Sequence, residues 1–98
     1  MSDIKKHLIK SLDEACELVQ NSEPSLCVGA SQQIAVDALT RIRGQLVSAS
    51  PVDHVKARLL FAPTGLLHEI SIDNDWGYQF LQLARDVDRL LAQLKEQA

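Results

Sequence analysis

The last third of the chain, Ser71 to Ala98, carries the pattern that most restricts the fold. Apolar side chains recur there at alternating gaps of four and three residues: Trp76, Phe80, Leu83, Val87, Leu90 and Leu94. This spacing places all of them on one stripe of an α-helix. Because a single helix cannot shield such a stripe from water, other segments of the chain have to supply helices that cover it.

The residues before the stripe indicate where its helix begins. Asp73, Asn74 and Asp75 have side chains that accept hydrogen bonds from the free N–H groups of a helix start, and the carboxylates suit its positive end. The sequence therefore predicts that this run caps the final helix. Trp76 is expected to hold that helix start on the core, and the alternative is an anchor at a binding interface, where tryptophan is over-represented.

Two earlier segments have helical periodicity as well. The first predicted helix is capped by Ser2 and Asp3 and runs to about Val19, with the stripe Ile4, Leu8, Leu12, Ala15, Cys16 and Val19. Polar residues and Pro24 then interrupt the pattern. A second helical stretch ends near Val47, and its predicted stripe is Cys27, Ala30, Ile34, Ala38, Ile42 and Leu46, widened by Ala35 and Leu39.

A third helix is predicted from the helix-start residues around Pro51. Ser50 as the N-cap, Pro51 at the first helical position and Asp53 shortly after form a helix-start signal. Pro63 ends this helix, because the residue before a proline is disfavoured in helical geometry. The side chains expected to point inward are Val52, Val55, Leu59 and Leu60.

The segment Ala62 to Gly65 allows two interpretations. In one it is a loop in which Thr64 caps a short helix over 66–70, and in the other it is a hairpin turn pairing 58–62 with 67–72. A lone two-stranded hairpin has marginal stability, so the helical interpretation is preferred. The predicted fold is therefore a single all-α domain over 1–98, a small antiparallel bundle of four main helices with a short extra helix or turn around 63–70.

Composition narrows the classes of partner. Ten Lys and Arg against thirteen Asp and Glu give a formal net charge of −3, which argues against nucleic acid and suits a basic protein partner. No apolar run has the length of a signal peptide or a membrane span, so a cytoplasmic protein is expected. Cys16 and Cys27 are expected to be reduced and buried, and a disulfide between them is the alternative.

One acidic cluster is a candidate for a metal-binding or catalytic site. Glu69, Asp73 and Asp75 lie near His68, but Trp76 and Gly77 do not match the spacing of a calcium loop. No nucleophile, phosphate-binding loop or histidine relay accompanies the carboxylates, and the scattered histidines do not have ligand spacing. We therefore expect no metal, no cofactor and no catalysis, and an enzyme built on Glu69 and Asp75 is the weakest hypothesis.

Tyr78 lies off the apolar stripe, in register with Gln82, Arg85 and Arg89. An exposed aromatic among polar groups suits a recognition surface, and the alternative is a tyrosine lying along the flank of its helix. The stripe itself also has two interpretations. It is the core face of a bundle, or it joins a second copy of the chain as in a coiled coil.

The chain resembles a known family. The resemblance lies in length and helix order, in Ser31 to Ile34 leading to Ile42 and Leu46, and in 65–70 followed by the acidic turn and the last helix. It is similar to the small helical immunity proteins of type VI secretion effectors, nearest to those that protect bacteria from an NAD(P)-degrading toxin. Such a family implies a non-enzymatic binder that covers the active site of a cognate toxin inside the producing cell.

The candidate contact residues come from predicted exposure and not from the family. They are Glu69, Asp73, Asp75, Tyr78 and Arg85. The alternative function is a helical adaptor or regulatory protein that forms a homodimer through the C-terminal helix.

Overall fold

A computed structural model describes residues 3–22, 31–48, 51–62 and 65–97. The described residues form α1 (Asp3–Gln20), α2 (Ser31–Val47), α3 (His54–Leu60), α4 (Leu66–Asp73) and α5 (Gly77–Gln97). No described residue lies in a β-strand, so the all-α prediction is confirmed. The hairpin alternative is wrong, because its two expected strands coincide largely with α3 and α4.

The three long helices, α1, α2 and α5, pack together, with α1 between the other two. Gln32 near the start of α2 donates to the Val19 carbonyl near the end of α1, and Arg43 further along α2 meets Asp13. These contacts show that α2 runs antiparallel to α1. α5 is also antiparallel to α1, because Trp76 before α5 bonds Ser22 after α1, while the far ends of both helices line one groove.

The predicted stripe of the final helix is confirmed as a core face. Trp76, Phe80, Leu83, Val87 and Leu90 are buried and Leu94 is half-buried. On α1 the buried positions are Leu8, Leu12, Ala15 and Val19, with Ile4 and Cys16 partly covered. Because the stripe of α5 lies inside one chain, a homodimer through these same side chains would require the chain to open.

The buried face of α2 is rotated from the predicted one. Ala35, Leu39, Ile42 and Leu46 are buried, whereas Ile34 is 57% exposed. From Ala30 onward the predicted row advances by four residues at every step, and each such step moves about 40° around a helix with 3.6 residues per turn. Side chains spaced strictly by four residues therefore turn gradually away from the side of α2 that faces the core. Ile34 lies outside that side and is exposed. Cys27 and Ala30 are outside the described residues.

α3 begins later than predicted. Its N-cap is Asp53, whose side chain accepts from the Lys56 N–H at 3.0 Å, and Pro51 precedes the helix in non-helical chain. The predicted start at Pro51 is wrong, and Ser50 lies outside the described residues. The predicted inward face is also partly wrong, since Val55 and Leu59 are exposed while Ala57 and Phe61 are buried.

An aromatic contact lies on the side of α3 that faces the core. Phe61, just after the helix, stacks on Phe80 of α5 with ring centroids 6.4 Å apart and planes 11° from parallel. Ala57, one turn earlier, is buried with it. A helix of two turns has too few apolar positions to define a stripe by itself, so its tertiary contacts, with Phe61 and Ala57 among them, decide which side faces the core.

α4 starts close to its predicted position and ends later. Gly65 is the N-cap and provides no side-chain hydrogen bond. A Cβ at this position would lie 2.9 Å from the Leu59 carbonyl oxygen, so only glycine fits without displacement of the backbone. The predicted cap Thr64 lies outside the described residues.

The run Asp73–Asn74–Asp75 connects α4 to α5. Asp73 is the last residue of α4 and Asn74 is its C-cap, with the Asn74 amide donating to the Ile70 carbonyl at 3.0 Å. The prediction that the Asp73 and Asp75 carboxylates cap the final helix is wrong, because neither accepts a hydrogen bond from a described N–H, and Asn74 closes α4 instead. Trp76 occupies the position before α5, and its carbonyl accepts from the Phe80 N–H at 2.9 Å.

Candidate functional site

The five residues expected to contact a partner are all exposed, as predicted. Glu69 and Asp73 lie one turn apart on α4, on the side away from its buried residues, and Asp75 lies in the turn that follows. Tyr78 and Arg85 share the outer face of α5. The structure therefore places them on two successive helices around one turn, and no hydrogen bond or ion pair joins any two of them.

The charges of this surface have no partners within the described residues. The ion pairs found there are Arg43–Asp13, Arg58–Asp88 and Arg89–Asp86. Glu69, Asp73, Asp75 and Arg85 take part in none of them. Their charges are therefore available to an approaching molecule, which they would attract or repel according to its own charge.

Trp76 is a core anchor and not an exposed interface residue. It is 5% exposed, and its indole N–H donates to the Ser22 hydroxyl oxygen at 2.8 Å. The Ser22 hydroxyl in turn donates to the Leu18 carbonyl at 2.7 Å, and Gln32 donates to the Ser22 carbonyl at 2.9 Å. These bonds join the end of α1 to the beginnings of α2 and α5. Sequence reasoning missed Ser22, because it lies in the polar segment that follows the first predicted helix.

The backbone at this turn is also held in place. The Trp76 N–H donates to the Ser71 carbonyl at 2.9 Å, and Ser71 is fully buried. Asp75 has a φ of 63°, in the left-handed region that Asp and Asn tolerate better than most residues. Asp75 therefore lies in a turn that is closed by the backbone hydrogen bond between Trp76 and Ser71.

Tyr78 lies next to apolar side chains that sequence reasoning missed. Tyr78 is 73% exposed, and Leu81, one turn later, is 56% exposed. Ile72 is 58% exposed and lies beside Gly77, with its Cγ1 4.0 Å from where a Cβ of Gly77 would be. We call Ile72, Tyr78 and Leu81 the α5 patch. Leu81 was visible in the sequence as an apolar residue outside the stripe, and Ile72 was obscured by the hairpin alternative.

His68 does not join the acidic residues. Its ring packs on Phe80 with centroids 5.4 Å apart, on the side of α4 that faces α5. Within the described ranges, no group of three or more His, Cys, Asp or Glu side chains could hold a metal ion. No described helix combines the length and the apolar character needed to cross a membrane.

Cys16 is half-buried on α1. Burial raises the pKa of its thiol, and the nearby Asp13 carboxylate raises it further. A thiol with a raised pKa is a poor nucleophile at neutral pH, because the thiolate is the reactive form. Cys27, the partner in the disulfide alternative, lies outside the described residues.

Comparisons with protein-family models, with curated proteins and with solved structures found no match to this chain.

Proposed function

We propose that this chain is a small immunity protein that binds a cognate toxin and covers its active site, without catalytic activity of its own. The contact surface comprises Glu69, Asp73, Asp75, Tyr78 and Arg85. The observation that carries the proposal is Tyr78, which is 73% exposed at the start of an anchored helix and follows carboxylates that have no ion-pair partner in the described chain. The family resemblance supplies the class of partner.

Rigidity favours a binding role for Tyr78. The bond from Trp76 to Ser22 fixes the start of α5 on α1, two residues before Tyr78. A tyrosine has few rotatable bonds, and an anchored helix loses little further freedom when a partner binds. Tyrosine and arginine are also among the residues that most often dominate binding energy. Tyr78 and Arg85 on one face of α5 therefore suit the centre of an interface.

Charge favours a basic surface on the partner. A toxin that degrades NAD(P) has to bind the phosphates of its substrate, and proteins bind phosphate with Arg, Lys or helix N-termini. The carboxylates of Glu69, Asp73 and Asp75 match such a site in sign. Opposite charges on the two proteins would accelerate their encounter and exclude partners of like charge.

The backbone of Asp75 gives a way to separate its charge from its conformation. Asparagine tolerates the left-handed region as well as aspartate does. Asp75→Asn should therefore leave the fold unchanged and remove one negative charge from the tip of the turn. A fall in toxin affinity for this variant would assign a binding role to the carboxylate itself.

The experiment uses the product of the gene that neighbours this one, expressed in bacteria with and without this chain. Growth arrest by the neighbour and rescue by this chain are the expected results. Tyr78→Ala should weaken binding about 30-fold or more, since a hot-spot residue contributes roughly 2 kcal/mol or more. A neighbour that is not toxic, or toxicity that this chain does not relieve, would reject the proposal.

Matched arginines supply the control. Arg85 and Arg41 are both exposed, on α5 and α2 respectively. Arg85→Ala should reduce rescue and raise the Kd measured by calorimetry, and Arg41→Ala should change neither. Equal effects of the two substitutions would show that the surface around α5 is not the one that binds.

A further inference from the structure

We draw no further inference here: the strongest candidate, the exposed α5 patch beside the turn from α4 to α5, carries none, because nothing in the structure shows what covers it.

Discussion

The long-helix region (α1, α2 and α5) and the short-helix region (α3 and α4) hold their shape by different means. Each long helix buries at least four apolar side chains on a continuous stripe. α3 and α4 have 7 and 8 residues, below the length at which isolated helices are stable in water. They depend on local devices, namely the Asp53 cap, Gly65 and the Asn74 side chain.

The short-helix region exposes three large apolar side chains, Val55, Leu59 and Ile72. It is attached to α5 by the contacts of Phe61 and His68 with Phe80, and to the core by the buried Leu67 and Ile70. The comparison teaches that the long helices supply most of the core, while the short helices are held in place by local hydrogen bonds and by a few buried side chains. The turn after α4, around which we assign binding, lies where the two regions meet.

The largest expected effect comes from removing the residue that joins the two regions. Phe80→Ala should lower the free energy of unfolding by about 3–5 kcal/mol, because Phe80 is fully buried and contacts both Phe61 and His68. Urea denaturation followed by the fluorescence of Trp76 measures this loss. Leu59→Ala on exposed α3 is the control, with an expected change within about 0.5 kcal/mol. Similar losses for the two variants would remove the distinction between scaffold and surface.

The second effect concerns the polar bond inside the scaffold. Ser22→Ala should cost about 1–3 kcal/mol, because it leaves the buried indole N–H of Trp76 without an acceptor. Ser48→Ala is a matched control, since both hydroxyls donate at 2.7 Å to the carbonyl four residues earlier but Ser48 is exposed. A cost for Ser48→Ala as large as that for Ser22→Ala would contradict the role assigned to the Trp76 bond.

A smaller and local effect is expected in the short-helix region. Asp53→Ala removes the cap that accepts from the Lys56 N–H and should cost about 1 kcal/mol. Hydrogen exchange should become faster in α3 and stay unchanged in α1. Asp53→Asn, which keeps a capping oxygen, should behave nearly as the native chain. Acceleration spread evenly over all helices would show that α3 is not an independent local unit.

The smallest expected effect is on the alkylation rate of Cys16, which reports how well the packing around α1 protects this thiol. Because its pKa is raised in the folded chain, the stabilising contribution of the neutral thiol is complete below the ordinary thiol pKa and is lost as pH rises through the raised value. In a Cys27→Ser background, iodoacetamide should alkylate Cys16 more slowly in the folded than in the urea-unfolded chain at pH 8. Equal alkylation rates in the folded and the unfolded chain would contradict the partial burial of Cys16 on α1.

How much of the buried face of each helix could be predicted from the sequence depended on the length and spacing of its apolar pattern. The alternating four-and-three spacing of α5 keeps to one face of a helix, so its core residues and the outward position of Tyr78 and Arg85 could both be predicted. The α2 row of fours could not be read in the same way, because its drift moved Ile34 off the core. The run 73–75 was misassigned because Asp and Asn suit both a helix start and the turn after a helix end.

The sequence by itself determined that the chain is all-α, which stripes of α1 and α5 are buried and which charged residues remain outside, since each follows from local spacing. The tertiary structure alone decided the face of α3, the bond between Trp76 and Ser22 and the position of Ile72 beside Gly77 at the start of α5. Trp76 and Ser22 are 54 residues apart in the chain. Such pairs form only when helices that are distant in sequence pack against each other, and local periodicity contains no information about which partners they meet.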